Sequence, residues 1–372
     1  MQVGTSILFQ NPFNERADAD VYRHELKLGD LAEPLGFESL WSVEHHFDDY
    51  TMCPDVLQFL SYFAGRTRHL KLGSMVVVLP WHDPIRVAEQ VSVLDHYSNG
   101  RVILGLGRGL ARLEFEGFRI PLDESRERFV ESATMILEGL ERGFIEFDGR
   151  HIKQPRRDIR PKPLKSFKGR TYAAAVSPES SRIMAQLGIG ILIIPQKPWE
   201  AVAKELADYR AIYQQVNGGE PLPTITAGWV FCDRNADRAH EMALRYIGGY
   251  WHTALRHYEM TADHFGQAKG YEFYREISQQ LAKSGADAAA EYFLGLQVWG
   301  TPEQCLEKID RIRRRVNSDH FTGVFSYAGM PYDEADRNMR LFAAEVMPEL
   351  KKLAPLTGAE RPGVTPYGGA PA

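Results

Sequence analysis

The sequence predicts an α/β protein, a (β/α)8 barrel of the TIM type with its largest insertion between strands 7 and 8. Three observations point there. Apolar, strand-like runs alternate with helical segments of about 10–15 residues or more, a spacing that calls for parallel pairing through right-handed crossovers. About eight such units follow one another, which favours a closed barrel over the alternative, a doubly wound open sheet. Two of the strands end in residues fit for chemistry. These are Leu40-Trp41-Ser42-Val43-Glu44-His45-His46-Phe47 and Arg101-Val102-Ile103-Leu104-Gly105-Leu106-Gly107-Arg108-Gly109. A parallel sheet with an active site along its C-terminal edge has this form.

In chain order, residues 4–9 read as the first strand and 19–35 as the first helix. Residues 38–43 form the second strand and 56–64 the second helix. The third strand covers 70–79, with Val76-Val77-Val78 as its β-branched centre. A helix over 84–97 follows, opened by Asp83 as cap and Pro84 at the first helical position. Residues 101–106 are the fourth strand and 123–140 a helix. Later strands fall at 172–176 and 189–194, around a helix at 182–187, and the last two at 224–231 and 321–325. Two stretches break the rhythm. Residues 144–152 alternate around Asp148-Gly149, a hairpin signal, and a basic, proline-bearing run follows, so an insertion is placed at about 143–168. The second insertion, about 248–298, is rich in Tyr, Trp and His and sits where extra chain would fold over the barrel mouth as a lid or substrate wall. Residues 1–353 make one domain. The tail, 354–372, holds four prolines and four glycines and reads as a surface extension.

Composition narrows the function classes. Of 372 residues, 44% are hydrophobic, enough for a large core, and a net charge of −5 gives no basic field for nucleic acid. No apolar run approaches the roughly 20 residues of a membrane span, and the N-terminus lacks the pattern of a signal peptide. Three widely spaced cysteines, Cys53, Cys232 and Cys305, build neither a disulfide framework nor a thiolate cluster and fit a reducing cytoplasm.

Glu44 and His45 are the candidate catalytic residues, since they follow the second strand where barrel enzymes keep such groups. The bland alternative sends one histidine into packing and ties Glu44 to backbone. Neighbouring residues on a strand face opposite ways, so His45 and His46 do not share one ion and no metal is expected. Arg108 sits among glycines that let backbone approach closely, and its guanidinium can grip a phosphate in a fork. Its alternative is an ion pair with Glu114 or Glu116. Ser177-Pro178-Glu179-Ser180-Ser181 opens a helix after the fifth strand; Ser177 is a good N-cap, and such a terminus also binds anions. With Arg108 from the neighbouring strand it makes one phosphate pocket. His46, His82 and Trp251 are placed at the substrate pocket. The aromatic set Tyr250, Trp251, Tyr258, Phe265, Tyr271, Phe273 and Tyr274 fits plain helix packing or the wall of an apolar cavity equally well.

Taken together, Glu44-His45-His46-Phe47, Leu72-Gly73-Ser74, Leu79-Pro80, Asp83-Pro84-Ile85-Arg86, Gly100-Arg101 and Gly107-Arg108-Gly109 resemble the bacterial luciferase-like flavin monooxygenases. Ser177 to Ser181, Gly270-Tyr271-Glu272, Gly300-Thr301-Pro302-Glu303-Gln304-Cys305 and Glu345-Val346-Met347-Pro348 extend the resemblance over nearly the whole chain. It implies FMN at the barrel mouth. Reduced flavin, usually supplied by a separate NAD(P)H:flavin reductase, would react with O₂ to a C4a-hydroperoxide that oxygenates a small apolar or carbonyl-bearing substrate. By the same resemblance His45 matches the catalytic histidine beside the ring, and Arg108, Ser177 and Ser180 match the phosphate grip. Leu110 and Val176 match backbone contacts to the cofactor, and Met75-Val76 falls where the family often has a non-prolyl cis peptide. A homodimer is implied as well. Departures at Asp83, Gly107, Ala111 and Val176 count against light emission and an aldehyde substrate, not against flavin. Two other functions stay open, a hydride-transferring F420-dependent oxidoreductase on the same barrel and a non-catalytic flavin-binding subunit.

Overall fold

The computed structural model describes residues 1–174, 178–260, 274, 275, 278, 279, 281, 283 and 285–356. Eight parallel strands close into a barrel: β1 (Gln2–Ile7), β2 (Ser39–Ser42), β3 (Lys71–Ser74), β4 (Val102–Gly107), β5 (Thr171–Ala174), β6 (Gly190–Ile193), β7 (Thr224–Cys232) and β8 (Ser318–Val324). Each pairs with the next in sequence, and β8 pairs with β1 to complete the circle. The expected α/β barrel is therefore present. Helices surround it, and the main core lies between them and the outer faces of the strands.

Residues that face the barrel axis form a smaller cluster of Trp41, Met75, Ile103, Leu192, Ile225 and Ala227. Trp41 plugs the interior, and Gly73 on β3 makes room for it: a Cβ there would lie 2.2 Å from the indole ring. The indole N–H donates to Ser39 Oγ at 2.7 Å, and that hydroxyl lies 2.7 Å from His320 Nε2. Burial pushes the His320 imidazole down to about 3, so it stays neutral inside the barrel.

Several local expectations shift. The third strand is not continuous over 70–79: it breaks after Ser74, passes through a cis Met75–Val76 peptide, and resumes as Val77–Val78, paired with Leu106 and Gly107. Ser74 Oγ bonds both the N–H and the carbonyl of Gly105 (2.8 and 2.9 Å), taking the place of a ladder contact where the strand departs. The first helix, Asp18–Asp30, ends short of residue 35. Helices Arg112–Phe118 and Trp199–Asn217 lie where no helix was assigned from sequence. The helix Pro84–Tyr97 has the expected bounds, with the Asp83 carboxylate accepting from the Ile85 N–H. Phe144–Asp148 pairs antiparallel with Lys153–Asp158. Helix Ala236–His257 runs without a break through Gly248, so the extra chain between β7 and β8 leaves the regular pattern only after His257. A short strand, Val298–Gly300, then extends the sheet beside the C-terminal end of β7. The tail expected at 354–372 lies outside the described residues from 357 onward. Among the described residues no helix is long and apolar enough to cross a membrane.

The Trp41–Gly73 contact yields a prediction. Gly73→Ala should lower unfolding stability by about 1–3 kcal/mol through overpacking, read as a fall in the urea midpoint. Trp41→Leu in the same chain should recover part of that loss.

Candidate active site at the barrel mouth

Two cavities meet above the C-terminal ends of the strands. One, about 1100 Å³ and open to solvent, runs from Arg108, Arg126 and Ser180 to Met75 and Val76. The other, about 860 Å³, is lined by Trp229, Tyr250, Trp251 and Phe293 among others. Val43, His45, Met75, Ile194, Gln196 and Tyr258 border both, so His45 stands at the junction.

His45 is held from behind. Its Nδ1 lies 2.9 Å from Glu114 Oε1, and since a carboxylate only accepts, Nδ1 carries the proton. Nε2 is thereby left for chemistry, with the Tyr258 hydroxyl 3.4 Å away. The same Glu114 oxygen accepts from the His46 backbone N–H at 2.8 Å. Behind it, His257 Nδ1 bonds Asp48 Oδ2 at 2.6 Å, while His257 Nε2 is 3.7 Å from Glu114 Oε1, too far for a hydrogen bond but close enough for strong attraction. Tyr50 stacks on His257 at 4.4 Å and meets His45 edge-on. Burial by itself lowers the His257 imidazole, but the Asp48 bond and the Glu114 charge overcome it and raise the group to about 9. Burial raises Glu114 in turn, and His45 and His257 outweigh that and bring it to about 2. The result is a buried, charged cluster at neutral pH. The donor atoms of His45, Glu114 and His257 lie within 4.8 Å of one another, close enough for a divalent cation, but the His45–Glu114 hydrogen bond already uses two of them.

Of the neighbouring residues, Glu44 borders the first cavity and His46 borders neither. Glu44 is buried with both oxygens engaged: Oε1 receives His46 Nε2 (3.2 Å) and His82 Nε2 (2.6 Å), and Oε2 receives the Val78 N–H (3.0 Å). Burial would raise this carboxyl, yet the histidine bonds hold it below its ordinary value, and Glu44 in turn raises His82 against the effect of burial. The His46 ring is packed edge-on against Trp81 and Phe118. Neither His46 nor His82 borders either cavity, so their placement at the substrate pocket is corrected. Strand alternation explains it, since His45 and His46 must face opposite sides. Trp251 does line the second cavity.

Arg108, Leu110 and Ser180 line the far end of the first cavity. Gly109, at φ +81°, turns the chain between β4 and helix Arg112–Phe118. The helix Pro178–Leu187 presents its N-terminus here. Val176 and Ser177 lie outside the described residues. Sequence reasoning missed Arg126, which lines this end and pairs with Glu179 at 2.5 Å. It also missed Asp48 and His257, and it read Glu114 only as a partner for Arg108. A faint signal existed for Glu114, an acid beside the apolar Leu113 and Phe115, but nothing local tied it to His45, 69 residues away.

A model of the family described as luciferase-like monooxygenase matches residues 1–318. The alkanal monooxygenase alpha chain of Photorhabdus luminescens is 26% identical over 366 residues, covering 95% of this chain and 98% of that one. Among solved structures, monooxygenase RslO1 from Streptomyces bottropensis superposes with a TM-score of 0.76 at 26% identity, covering 94% of this chain and 99% of the other. The oxygenating constituent of 3,6-diketocamphane monooxygenase from Pseudomonas putida, solved in complex with FMN, gives 0.70 at 18% identity over 94% and 99%. An F420-dependent secondary alcohol dehydrogenase gives 0.67 at 16% over 92% and 97%. At such identity these last two likenesses bear on the fold alone.

The titration of His257 carries a pH prediction. Its folded value, about 9, exceeds the ordinary 6.5, so its stabilising contribution is complete below about pH 6.5 and is lost as pH rises through about 9. Urea unfolding across that window should show stability falling with pH, and His257→Gln should flatten the slope.

Proposed function

The chain belongs to the luciferase-like monooxygenase family, and from that premise we propose that it is a two-component flavin-dependent monooxygenase. Reduced FMN would occupy the cavity from Arg108 to Val76, and the organic substrate the aromatic cavity beside it. The observation that carries the reading is His45 at the junction of the two, with Nδ1 fixed by Glu114 and Nε2 left available.

The residues present fit a flavin mononucleotide. Two guanidiniums, Arg108 and Arg126, the Ser180 hydroxyl and a helix N-terminus gather at one end of the first cavity, the set a phosphate dianion needs. Ser177 would add a hydroxyl there. Met75, Val76, Val78 and Leu110 give the middle an apolar lining for a flat ring, and Val176 would flank it. A bound reduced flavin supplies the electrons with which O₂ is activated for insertion of one oxygen atom into the substrate.

The chain's own groups do the rest. His45 Nε2 holds or delivers a proton beside the ring, and the Glu114 carboxylate keeps the imidazole in one tautomer and one orientation. His257, kept protonated by Asp48, helps hold Glu114 charged. Glu44, whose oxygens are all engaged, acts as an anchor that ties the Val77–Val78 segment to β2 and is not a free base. The aromatic wall of the second cavity keeps water from the reacting centre. In this reading a separate NAD(P)H:flavin reductase supplies the reduced cofactor, the protein works in the cytoplasm, and the assembly is a homodimer.

Anaerobic titration with reduced FMN tests the proposal directly, followed by oxygen uptake and product analysis with a flavin reductase. Tight binding of oxidised F420 with hydride transfer and no oxygen uptake would instead favour the dehydrogenase. Flavin binding with no product across a broad substrate panel would point to a non-catalytic subunit. His45→Asn should cut turnover by roughly 10²–10⁴ while leaving flavin affinity nearly unchanged. Arg108→Gln should do the reverse, weakening flavin binding by about 10-fold or more, the scale of a lost charge-assisted hydrogen bond.

A further inference from the structure

Three of the residues that border both cavities are polar: His45, Gln196 and Tyr258. His45 is tied to Glu114, and the Tyr258 hydroxyl faces His45 Nε2. Gln196 differs. Its half-buried carboxamide bonds no other group among the described residues, and neither of its polar atoms is sealed from solvent. It stands just past the C-terminal end of β6, where a barrel presents its working groups. The chain on either side is held in place. Gln297 Nε2 lies 3.5 Å from the Pro195 carbonyl, Gln297 Oε1 accepts from the Trp229 backbone N–H at 3.2 Å, and Lys197 pairs with Glu205. The Gln196 side chain therefore enters the junction from a fixed backbone.

The rest of the second cavity offers little else to a polar group. No Asp, Glu, Lys or Arg among the described residues lines it. Burial holds the phenols of Tyr50, Tyr250 and Tyr258 well above their ordinary value, so they stay neutral. A charged substrate would therefore enter without a counter-ion, at a large desolvation cost. The indole nitrogens of Trp229 and Trp251 and the Ser6 hydroxyl are closed off beneath the surface. The Tyr50 and Tyr250 hydroxyls are joined to each other at 2.5 Å, and Thr51 is 2% exposed. His45 Nε2, with the proton on Nδ1, accepts and does not donate. Gln196 thus supplies a reachable N–H donor with no partner of its own, at the border with the flavin cavity.

We infer that Gln196 determines substrate specificity: its carboxamide N–H donates to the carbonyl oxygen of a neutral ketone or aldehyde and holds that group at the junction beside His45. The inference rests on the reading that flavin fills the other cavity, and it deepens that reading by selecting a carbonyl-bearing substrate over a purely apolar one. A hydrocarbon of the same outline displaces water from the carboxamide and gives no acceptor in return, which is costly. A ketone replaces the lost water with its own oxygen, and the neutral amide asks no charge of it.

The test needs no flavin, which separates its failure from failure of the flavin assignment. Isothermal titration calorimetry of the full chain uses acetophenone and ethylbenzene, a pair of one outline that differs by the carbonyl. Gln196→Leu keeps the bulk of the side chain and removes the donor. It should weaken acetophenone about 3- to 10-fold, the scale of one lost hydrogen bond, and leave ethylbenzene as tight as in the parent or tighter. Gln196→Glu, of the same shape, sets a carboxylate oxygen against the carbonyl and should weaken acetophenone at least as far. Unchanged acetophenone affinity in both variants, an equal loss for both probes in Gln196→Leu, or no acetophenone binding by the parent would each overturn the inference. A separate titration with reduced FMN guards against the other assignment. A loss of flavin affinity in Gln196→Leu as large as the loss for acetophenone would place the carboxamide on the flavin and overturn the inference as well.

Discussion

A single buried carboxylate, that of Glu114, organises the mouth of this barrel. It reaches the His45 imidazole and the His46 backbone, both beyond β2, from a helix that follows β4, and it attracts His257 from the helix after β7. Three βα units that share no adjacent sequence are thus locked to one oxygen. Such a charge is tolerated away from water only because cationic and donor groups surround it, and breaking a buried pair of this kind typically costs about 3–5 kcal/mol. The position of His45, and with it everything the site can do, follows from that constraint.

From it comes a division of labour. The charged cluster stands behind His45, with Glu114 itself bordering the first cavity but not the second. Cationic groups are gathered instead at the opposite end of the first cavity, around Arg108 and Arg126. Between them Met75, Val76, Val78 and Leu110 give an apolar stretch beside the buried Glu44 and Glu114 carboxylates, and the exclusion of water there strengthens the remaining electrostatic contacts. The second triad, Glu44 with His46 and His82, mirrors the first on the other side of the loop and serves the scaffold, joining β2 to the resumed third strand. Two adjacent histidines therefore have separate carboxylates and separate tasks.

Much of the architecture could be read from residue order. The alternation of short apolar runs and helical stretches gives the parallel barrel, and Asp83-Pro84 gives a helix start that the structure reproduces. The break in the third strand at Met75 and Val76 is marked only by the family resemblance, which places a non-prolyl cis peptide there, and not by the β-branched run that follows. Helices Arg112–Phe118 and Trp199–Asn217 went unassigned, the first because its seven residues are too few to establish a period. The convergence of Arg108 and Ser180 was legible because adjacent strands of a barrel put their C-terminal ends side by side. The roles first considered for His46 and His82 were not, since facing depends on exact register where the strand gives way to loop.

What the sequence by itself determined is short-range: the period of each element, the caps, the chemical groups at strand ends, and from these the barrel and the location of its site. The tertiary structure alone decided the pairings, Glu114 with His45 and His257 with Asp48, and the stacking of Trp251 on Phe293. The reason is physical. Periodicity and capping involve neighbours a few residues apart, whereas the partner of a buried charge is whichever group chain closure brings within about 3 Å, and closure of an eight-stranded barrel joins residues separated by most of the chain.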